Sequence, residues 1–364
     1  MAYFGILRPD SIEVLRDEAC RASLSRYFDI FEGRKLAKFQ ICKRMPLDFQ
    51  EDAAEGDLWG LHDRAISSFR EFERGIDLGG PRAMAGAPGK SLLDLKIHLA
   101  KRILESCRLC QRRCGRNRAK GELGYCKCGA EIHVSSIFEH LGEEPELVPS
   151  GTIFTNGCTM ACLHCQNWSI SQWYEVGRPY SPKSLAMEVD ALKARGCRNA
   201  NLVGGDPTPW LPQWLEAFKY VRENIAVVWN SNSYYSEEAA KLLAGFADVY
   251  LLDFKYGPGR CAERISSAPS YWDVATRNLL AAKEHGELIV RVLVLPGHID
   301  CCAKPVLEWI ARNLGAGTRV NIMDQYRPEW RYYEVEELRR RLRREEFQEV
   351  ISYAREIGLK NFIT

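Results

Sequence analysis

Residues Thr152-Ile-Phe-Thr-Asn-Gly-Cys-Thr-Met-Ala-Cys-Leu-His-Cys165 run a β-branched, apolar segment directly into three cysteines spaced C-x3-C-x2-C. Thr, Ile and Phe suit a pleated strand, and Asn156-Gly157 supplies the turn chemistry that ends one. Cys158, Cys162 and Cys165 then offer three thiolates from one loop, one fewer than the four that close the shell of an iron-sulfur cluster. A centre with one ligand missing keeps a position open for a substrate or cofactor, which separates catalytic from structural metal sites. A partial zinc site or three buried thiols would use the same residues; the strand context favours the open centre.

Downstream of that loop, apolar β-type runs alternate with helical patterns. Strands are predicted at 152–156, 199–204, 226–232, 249–254, 288–295 and 319–323, with helices over 181–195, 214–224, 236–246, 271–285 and 304–313. Continuous apolar strands between helices imply an α/β fold with a parallel sheet covered on both faces. Six such units fit an open, partial (β/α)6 TIM-like barrel, whose reactive groups collect at the C-terminal ends of the strands. Polar motifs stand at those ends: Gly204-Gly205-Asp206 after the second strand, Asn230-Ser-Asn232 at the third, Asp253-Phe-Lys255 at the fourth and Pro296-Gly-His298 at the fifth. Singly they read as a turn, a solvent ion pair or a loop histidine. Together, at successive strand ends, they make one site.

A second cysteine group lies upstream: Cys107-x2-Cys110-x3-Cys114-x11-Cys126, with Cys128 close behind. Four thiolates close a coordination shell, and the spacing fits an auxiliary iron-sulfur cluster, a single iron or a structural zinc. Arg108, Arg112, Arg113, Arg116, Arg118, Lys120 and Lys127 surround it and offset anionic thiolates. Cys301 and Cys302, too close in sequence to bridge each other, read as packed thiols with substrate or metal contact as the alternative. Cys20, Cys42, Cys197 and Cys261 read as scattered core or surface thiols. The run Arg339–Arg344, flanked by glutamates, reads as a solvated helix face.

The cysteine triplet after the first strand, with the glycine-rich turn after the second, resembles the radical S-adenosylmethionine (SAM) superfamily. Within it the chain is similar to pyruvate formate-lyase activating enzymes and their longer, uncharacterised iron-sulfur relatives. Supporting stretches are Val203-Gly-Gly-Asp-Pro-Thr-Pro209, Trp229-Asn-Ser-Asn232, Tyr250-Leu-Leu-Asp-Phe-Lys-Tyr256 and Leu293-Val-Leu-Pro-Gly-His298. The resemblance implies a [4Fe-4S] cluster on Cys158, Cys162 and Cys165. It also implies reductive cleavage of SAM to methionine and a 5′-deoxyadenosyl radical that takes hydrogen from a substrate. By the same resemblance His164 packs near the adenine, the Gly204, Gly205, Asp206 turn meets the methionyl amine, and Asn230 and Asn232 lie near the ribose. Asp253 and Lys255 line the cofactor pocket, and His298 faces the same rim. The superfamily's usual turn is Gly-Gly-Glu, so Asp206 is one methylene shorter. A protein or peptide substrate and a reductant such as flavodoxin or ferredoxin are implied as partners.

The chain has 364 residues, 46% of them hydrophobic, with 14 cysteines and a net charge of +2. That length predicts several units: a helical N-terminal extension (1–95), ending in the breaker-rich stretch 79–89, a cysteine-rich metal-binding segment (96–150), the partial barrel (151–328) and a C-terminal helical segment (329–364). Many cysteines without a basic-then-apolar leader at the start predict reduced or metal-bound thiols and a cytoplasmic protein. No apolar run is long enough for a membrane span, and the near-balanced charge argues against nucleic acid as the main partner. Two other functions use the same residues. One is radical methylation or another modification, with cobalamin held by the N-terminal part, although no Asp-x-His-x-x-Gly run marks a cobalamin module. The other is a non-catalytic redox sensor or binding protein, which has no need of the strand-end residues.

Overall fold

The computed structural model describes residues 2–79 and 89–364; most of the predicted linker, residues 80–88, lies outside the described residues. Among the described residues nine strands form one sheet: β1 His133–His140, β2 Ser150–Thr155, β3 Arg178–Pro179, β4 Asn199–Gly204, β5 Ala226–Ser231, β6 Val249–Asp253, β7 Glu287–Leu293, β8 Arg319–Met323 and β9 Phe362–Ile363. Their order is β3-β1-β2-β4-β5-β6-β7-β8-β9, so the sheet is open. From β2 to β9 every pairing is parallel, and β1 and β3 add an antiparallel edge. The six predicted strands are the six central parallel ones, in a partial-barrel α/β fold with a helical N-terminal region.

β4 and β5 are buried at every position, as strands covered on both faces must be. Helices Pro182–Ala194, Leu211–Tyr220, Glu237–Leu243, Tyr271–His285 and Lys304–Trp309 return the chain between parallel strands. Two of them start where a serine hydroxyl accepts an orphan backbone N–H: Ser181 from Ser184 and Ser236 from Ala239.

The extension packs against the barrel, with Arg26, Tyr27 and Lys38 at the N-terminal ends of the strands. Its long helices, Glu55–Gly79 and Leu92–Glu105, bury Leu58, Phe69, Leu95, Leu99 and Ile103 in the common core. Carboxylates at the N-terminal ends of strands fasten it by its backbone. Asp248 accepts from Lys38 N and Val227 N, both at 2.8 Å, and Glu287 accepts from Arg26 N and Tyr27 N, both at 2.7 Å. A buried carboxylate with two N–H donors on it is a satisfied polar group rather than a stranded one. The basic run near the C-terminus is not a helix face. Glu336–Arg339 forms a short 3-10 turn, the next helix starts at Arg344, and Arg340 folds over to hold Glu346 through two 2.7 Å bonds.

Candidate active site

The cysteine loop leaves β2 and is held by its own backbone. Gly157 N donates to Ile170 O, Ala161 N to Ser266 O and Leu163 N to Ile265 O, all within 3.0 Å, while Gly157 O receives Asp206 N at 3.0 Å. Glycine is required where the next turn closes on this loop. Gly204 sits at φ +150°, where a Cβ would lie 2.2 Å from Thr155 O, and a Cβ on Gly205 would lie 2.2 Å from Gly157 O.

This packing brings Cys158, Cys162 and Cys165 to the wall of one cavity of about 350 Å3, at the C-terminal ends of the parallel strands. His164, Gly204, Gly205, Asn230, Asn232, Asp253 and Lys255 line the same cavity. Cys158 Sγ receives Met160 N at 3.4 Å and Asn232 Nδ2 at 3.5 Å, and Cys165 Sγ lies 3.3 Å from Ser171 Oγ. Burial raises the pKa of all three thiols, Cys162 to about 11, and the charge on Asp206 raises Cys158 further. Thiols so held need a bound cation to shed their protons.

Lys255 Nζ lies 2.7 Å from Asp253 Oδ2 at the end of β6. Burial opposes its charge, but the adjacent Asp253 carboxylate outweighs burial and holds its pKa above the ordinary lysine value. His164 is buried, with Nε2 3.1 Å from the Tyr256 hydroxyl and its ring edge-on to Tyr326. Burial, with Lys255 adding to it, lowers its pKa to about 3, so it is a neutral aromatic wall.

Two expected residues are placed elsewhere. Asp206 does not line the cavity. Its carboxylate turns beneath the cavity floor and accepts from Ser231 Oγ at 2.8 Å, Thr159 Oγ1 at 3.2 Å and Asn232 N at 3.3 Å. Its short side chain reaches these donors before it reaches the opening. His298 does not line the cavity: it follows Gly297, at φ +77°, and is buried with Nδ1 3.3 Å from Cys301 Sγ. Cys261, read as a scattered thiol, joins that same group, with Sγ 3.9 Å from Cys301 Sγ. Asn232 lines the cavity, but its carboxamide donates to Thr159 Oγ1 at 3.0 Å and is occupied with the loop.

Arg291 and Glu143 also line this cavity and were not anticipated, and Glu144 lies behind them. Arg291 Nε donates to Glu144 Oε1 at 2.7 Å, Nη2 to Glu143 Oε2 at 2.9 Å and Nη1 to Asn230 Oδ1 at 3.2 Å. A single arginine inside the apolar strand 288–293 was the available signal. Asn230 Nδ2, buried, has no protein partner among the described residues, so it is a free donor beside the cavity.

The upstream cysteines gather as well. Cys107, Cys110, Cys114 and Cys126 surround one void of about 10 Å3 that also touches Thr159 of the cysteine loop. Arg118, fully buried, directs Nη1 at Cys107 Sγ, 3.8 Å away. The Cys128 thiol and Arg118 together outweigh burial and bring Cys126 down to about 6. The two cysteine groups adjoin: Trp173 Nε1 donates to Cys126 O at 3.0 Å, Arg112 Nε to Thr159 O at 2.7 Å, and a Cβ on Gly157 would lie 2.4 Å from Cys128 Sγ.

The Radical SAM superfamily model matches residues 152–310, from β2 through the helix after β7. The uncharacterized protein MJ0674 of Methanocaldococcus jannaschii is 39% identical over 345 residues, 92% of this chain and 98% of its own. This chain belongs to the radical SAM superfamily. A second uncharacterized protein of that organism, MJ0808, is 30% identical over 100 residues, 27% of this chain and 29% of its own. Two crystal structures of Streptococcus suis SuiB, one of them bound to the precursor peptide SuiA, are 12% identical with a TM-score of 0.41. The match covers 56% and 58% of this chain but only 46% and 47% of theirs.

Radical SAM proteins use a [4Fe-4S] cluster to cleave SAM reductively, and the cavity fits both groups. Three thiols leave one iron position open, two cations stand at the wall, and Asn230 Nδ2 offers an unused donor. Among the described residues no helix is long and apolar enough to cross a membrane.

Proposed function

We propose that this radical SAM protein is an activating-enzyme-like catalyst that removes a hydrogen atom from a residue of a protein or peptide. The observation that carries the reading is the open cavity at the strand ends, lined by three thiols and by Lys255, Asp253, Arg291 and Asn230. Cys158, Cys162 and Cys165 hold the cluster. Lys255, a compact cation, binds the methionyl carboxylate, Asn230 donates to the ribose, and His164 forms the wall against the adenine. Asp206 and Asn232 act through the loop that they position.

A polymeric substrate is supported by the cavity mouth. Gln166 and Asn167 line it, and the next residue, Trp168, stacks on Trp330 with ring centroids 4.7 Å apart beside the exposed Tyr174. Aromatic ledges of this kind recur where proteins grip peptides. Cys107, Cys110, Cys114 and Cys126 are proposed to hold a second iron-sulfur cluster that passes electrons to the first. Among the described residues no three of these sulfurs lie within 4.8 Å of one another. A single tetrahedral ion draws thiolates to about 3.8 Å, given metal–sulfur bonds of about 2.3 Å.

The test is anaerobic reconstitution with iron and sulfide, then reductant and SAM. Wild-type protein forms 5′-deoxyadenosine and Cys162→Ala does not. Cell extract retained by ultrafiltration raises that yield, and protease treatment of the retentate abolishes the rise. Stimulation by the filtrate alone would refute a protein substrate, and adenosylhomocysteine among the products would show methyl transfer instead. Cys107→Ala/Cys110→Ala loses iron equivalent to one cluster; unchanged iron refutes the second cluster.

A further inference from the structure

Cys261, His298, Cys301 and Cys302 form the one set among the described residues whose ligand atoms all lie within 4.8 Å of one another. We propose that these four residues bind a single zinc ion in a closed Cys3His shell, separate from both cysteine groups described above.

The geometry is that of a tetrahedral ion. Metal–sulfur bonds of about 2.3 Å and a metal–nitrogen bond of about 2.0 Å set sulfur–sulfur edges near 3.8 Å and sulfur–nitrogen edges near 3.5 Å. Here Cys261 Sγ to Cys301 Sγ is 3.9 Å and Cys301 Sγ to Cys302 Sγ is 3.8 Å. His298 Nδ1 lies 3.3 Å from Cys301 Sγ and 3.9 Å from Cys302 Sγ. A sulfur–sulfur distance near 3.9 Å is almost twice a disulfide bond, so these are separate ligands.

The sequence builds the shell from two strand ends. His298, Cys301 and Cys302 stand at i, i+3 and i+4 of one turn, which places all three on one face. That turn is π-helical over Ile299–Ala303, and His298 O receives both Cys302 N and Ala303 N at 3.1 Å. π-turns of this length are rare and gather at functional sites. Cys261 arrives from the segment after β6, as the first residue of helix Cys261–Ser266. The two segments touch: a Cβ on Gly257 would lie 2.1 Å from Cys301 O.

The surroundings are those of a ligated histidine. His298 Nε2 lies 3.2 Å from Glu337 Oε1, off the line of a good hydrogen bond. Glu337 is held in place by Arg264. A carboxylate behind the second ring nitrogen fixes the tautomer that leaves Nδ1 free for metal. His298 and Cys302 are buried and Cys301 is exposed, which gives the ion a route in. Binding converts three thiols to thiolates and releases three protons; the resulting excess negative charge faces Arg264.

The ion clamps the helix that backs the cysteine loop. Helix Cys261–Ser266 is tied at its first residue by the ion, and at its last two it accepts the backbone N–H groups of Leu163 and Ala161.

The full-length protein, purified anaerobically, is expected to hold about one zinc per chain beside its iron. Cys301→Ala/Cys302→Ala loses that zinc and keeps the iron, whereas Cys107→Ala/Cys110→Ala keeps the zinc. Should the double variant fold poorly, cobalt exchanged into wild-type protein gives the intense visible bands of a tetrahedral thiolate site, and His298→Ala weakens them. Zinc that remains in the Cys301→Ala/Cys302→Ala protein, zinc that follows Cys107 and Cys110, or octahedral cobalt in the wild type overturns the proposal. None of these readouts depends on turnover, so the zinc site can fail while the SAM chemistry stands.

Discussion

Thr159 Oγ1 donates to Asp206 Oδ2 across 3.2 Å, and through that bond the turn after β4 holds the cysteine loop after β2. Ser231 and Asn232 bring the end of β5 onto the same carboxylate. Asp206 therefore joins three strand ends beneath the cavity floor. Asp206→Ala strands three donors, at about 1–3 kcal/mol each. Iron content after reconstitution and thermal stability should fall together, with Asp206→Asn intermediate. Were Asp206 a direct cofactor contact, the alanine variant would keep its cluster and lose only SAM affinity. Iron counting and SAM titration on one preparation separate the two.

Lys255 is expected to act through charge at the cavity wall. Lys255→Met keeps the length of the side chain and removes the ammonium, leaving Asp253 without its 2.7 Å partner. SAM binding to the reconstituted protein should weaken about tenfold, or ~1.4 kcal/mol, the scale of one exposed-to-part-buried charge contact. The cluster's absorption should be unchanged. An unaltered dissociation constant would remove Lys255 from the binding site.

Gly205 and Gly259 give a matched pair. A Cβ on Gly205 would stand 2.2 Å from Gly157 O, whereas one on Gly259 meets nothing within 4 Å at an ordinary φ. Gly205→Ala must push the β4 turn off the cysteine loop, so the protein should lose most of its iron. Gly259→Ala should alter stability by no more than about 0.5 kcal/mol, as an open surface substitution does. Equal iron in both variants would mean that the turn and loop do not depend on close backbone approach.

The barrel was legible because its signal is local. Strands 199–204 and 319–323 match the observed bounds to the residue, although Asn199, Asn201, Arg319 and Asn321 interrupt their apolar runs. Helix 236–246 stops early at Leu243 because Ala244 leaves helical geometry, a change that composition does not announce. The two-residue β9 is too short to carry a period. Of the twelve residues expected around the cluster and SAM, ten line the cavity: Cys158, Cys162, Cys165, His164, Gly204, Gly205, Asn230, Asn232, Asp253 and Lys255. Asp206 and His298 do not line it, because sequence gives a residue's place at a strand end but not the direction of its side chain. The grouping of Cys261 with His298 depends on two loops meeting across adjacent strands, and no spacing in the sequence encodes that.

Asp248 should make the attachment of the helical extension pH-dependent. It is buried, and burial raises its pKa from 3.8 to about 6, although the N–H groups of Val227 and Lys38 favour the carboxylate. Below 3.8 both the folded and unfolded chains hold this proton; between 3.8 and about 6 only the folded chain does. The stabilising contribution is thus fully present at the acid end and is lost as pH rises through about 6. A shift of this size corresponds to about 3 kcal/mol at most. Asp248→Asn cannot titrate. Its amide opposes one backbone N–H, but that penalty is the same at every pH and leaves the slope unaffected. Denaturation midpoints measured from about pH 5 to pH 7 should therefore fall in the wild type relative to the variant. Parallel curves would show that Asp248 is ionised throughout and that the two N–H donors, not burial, set its charge.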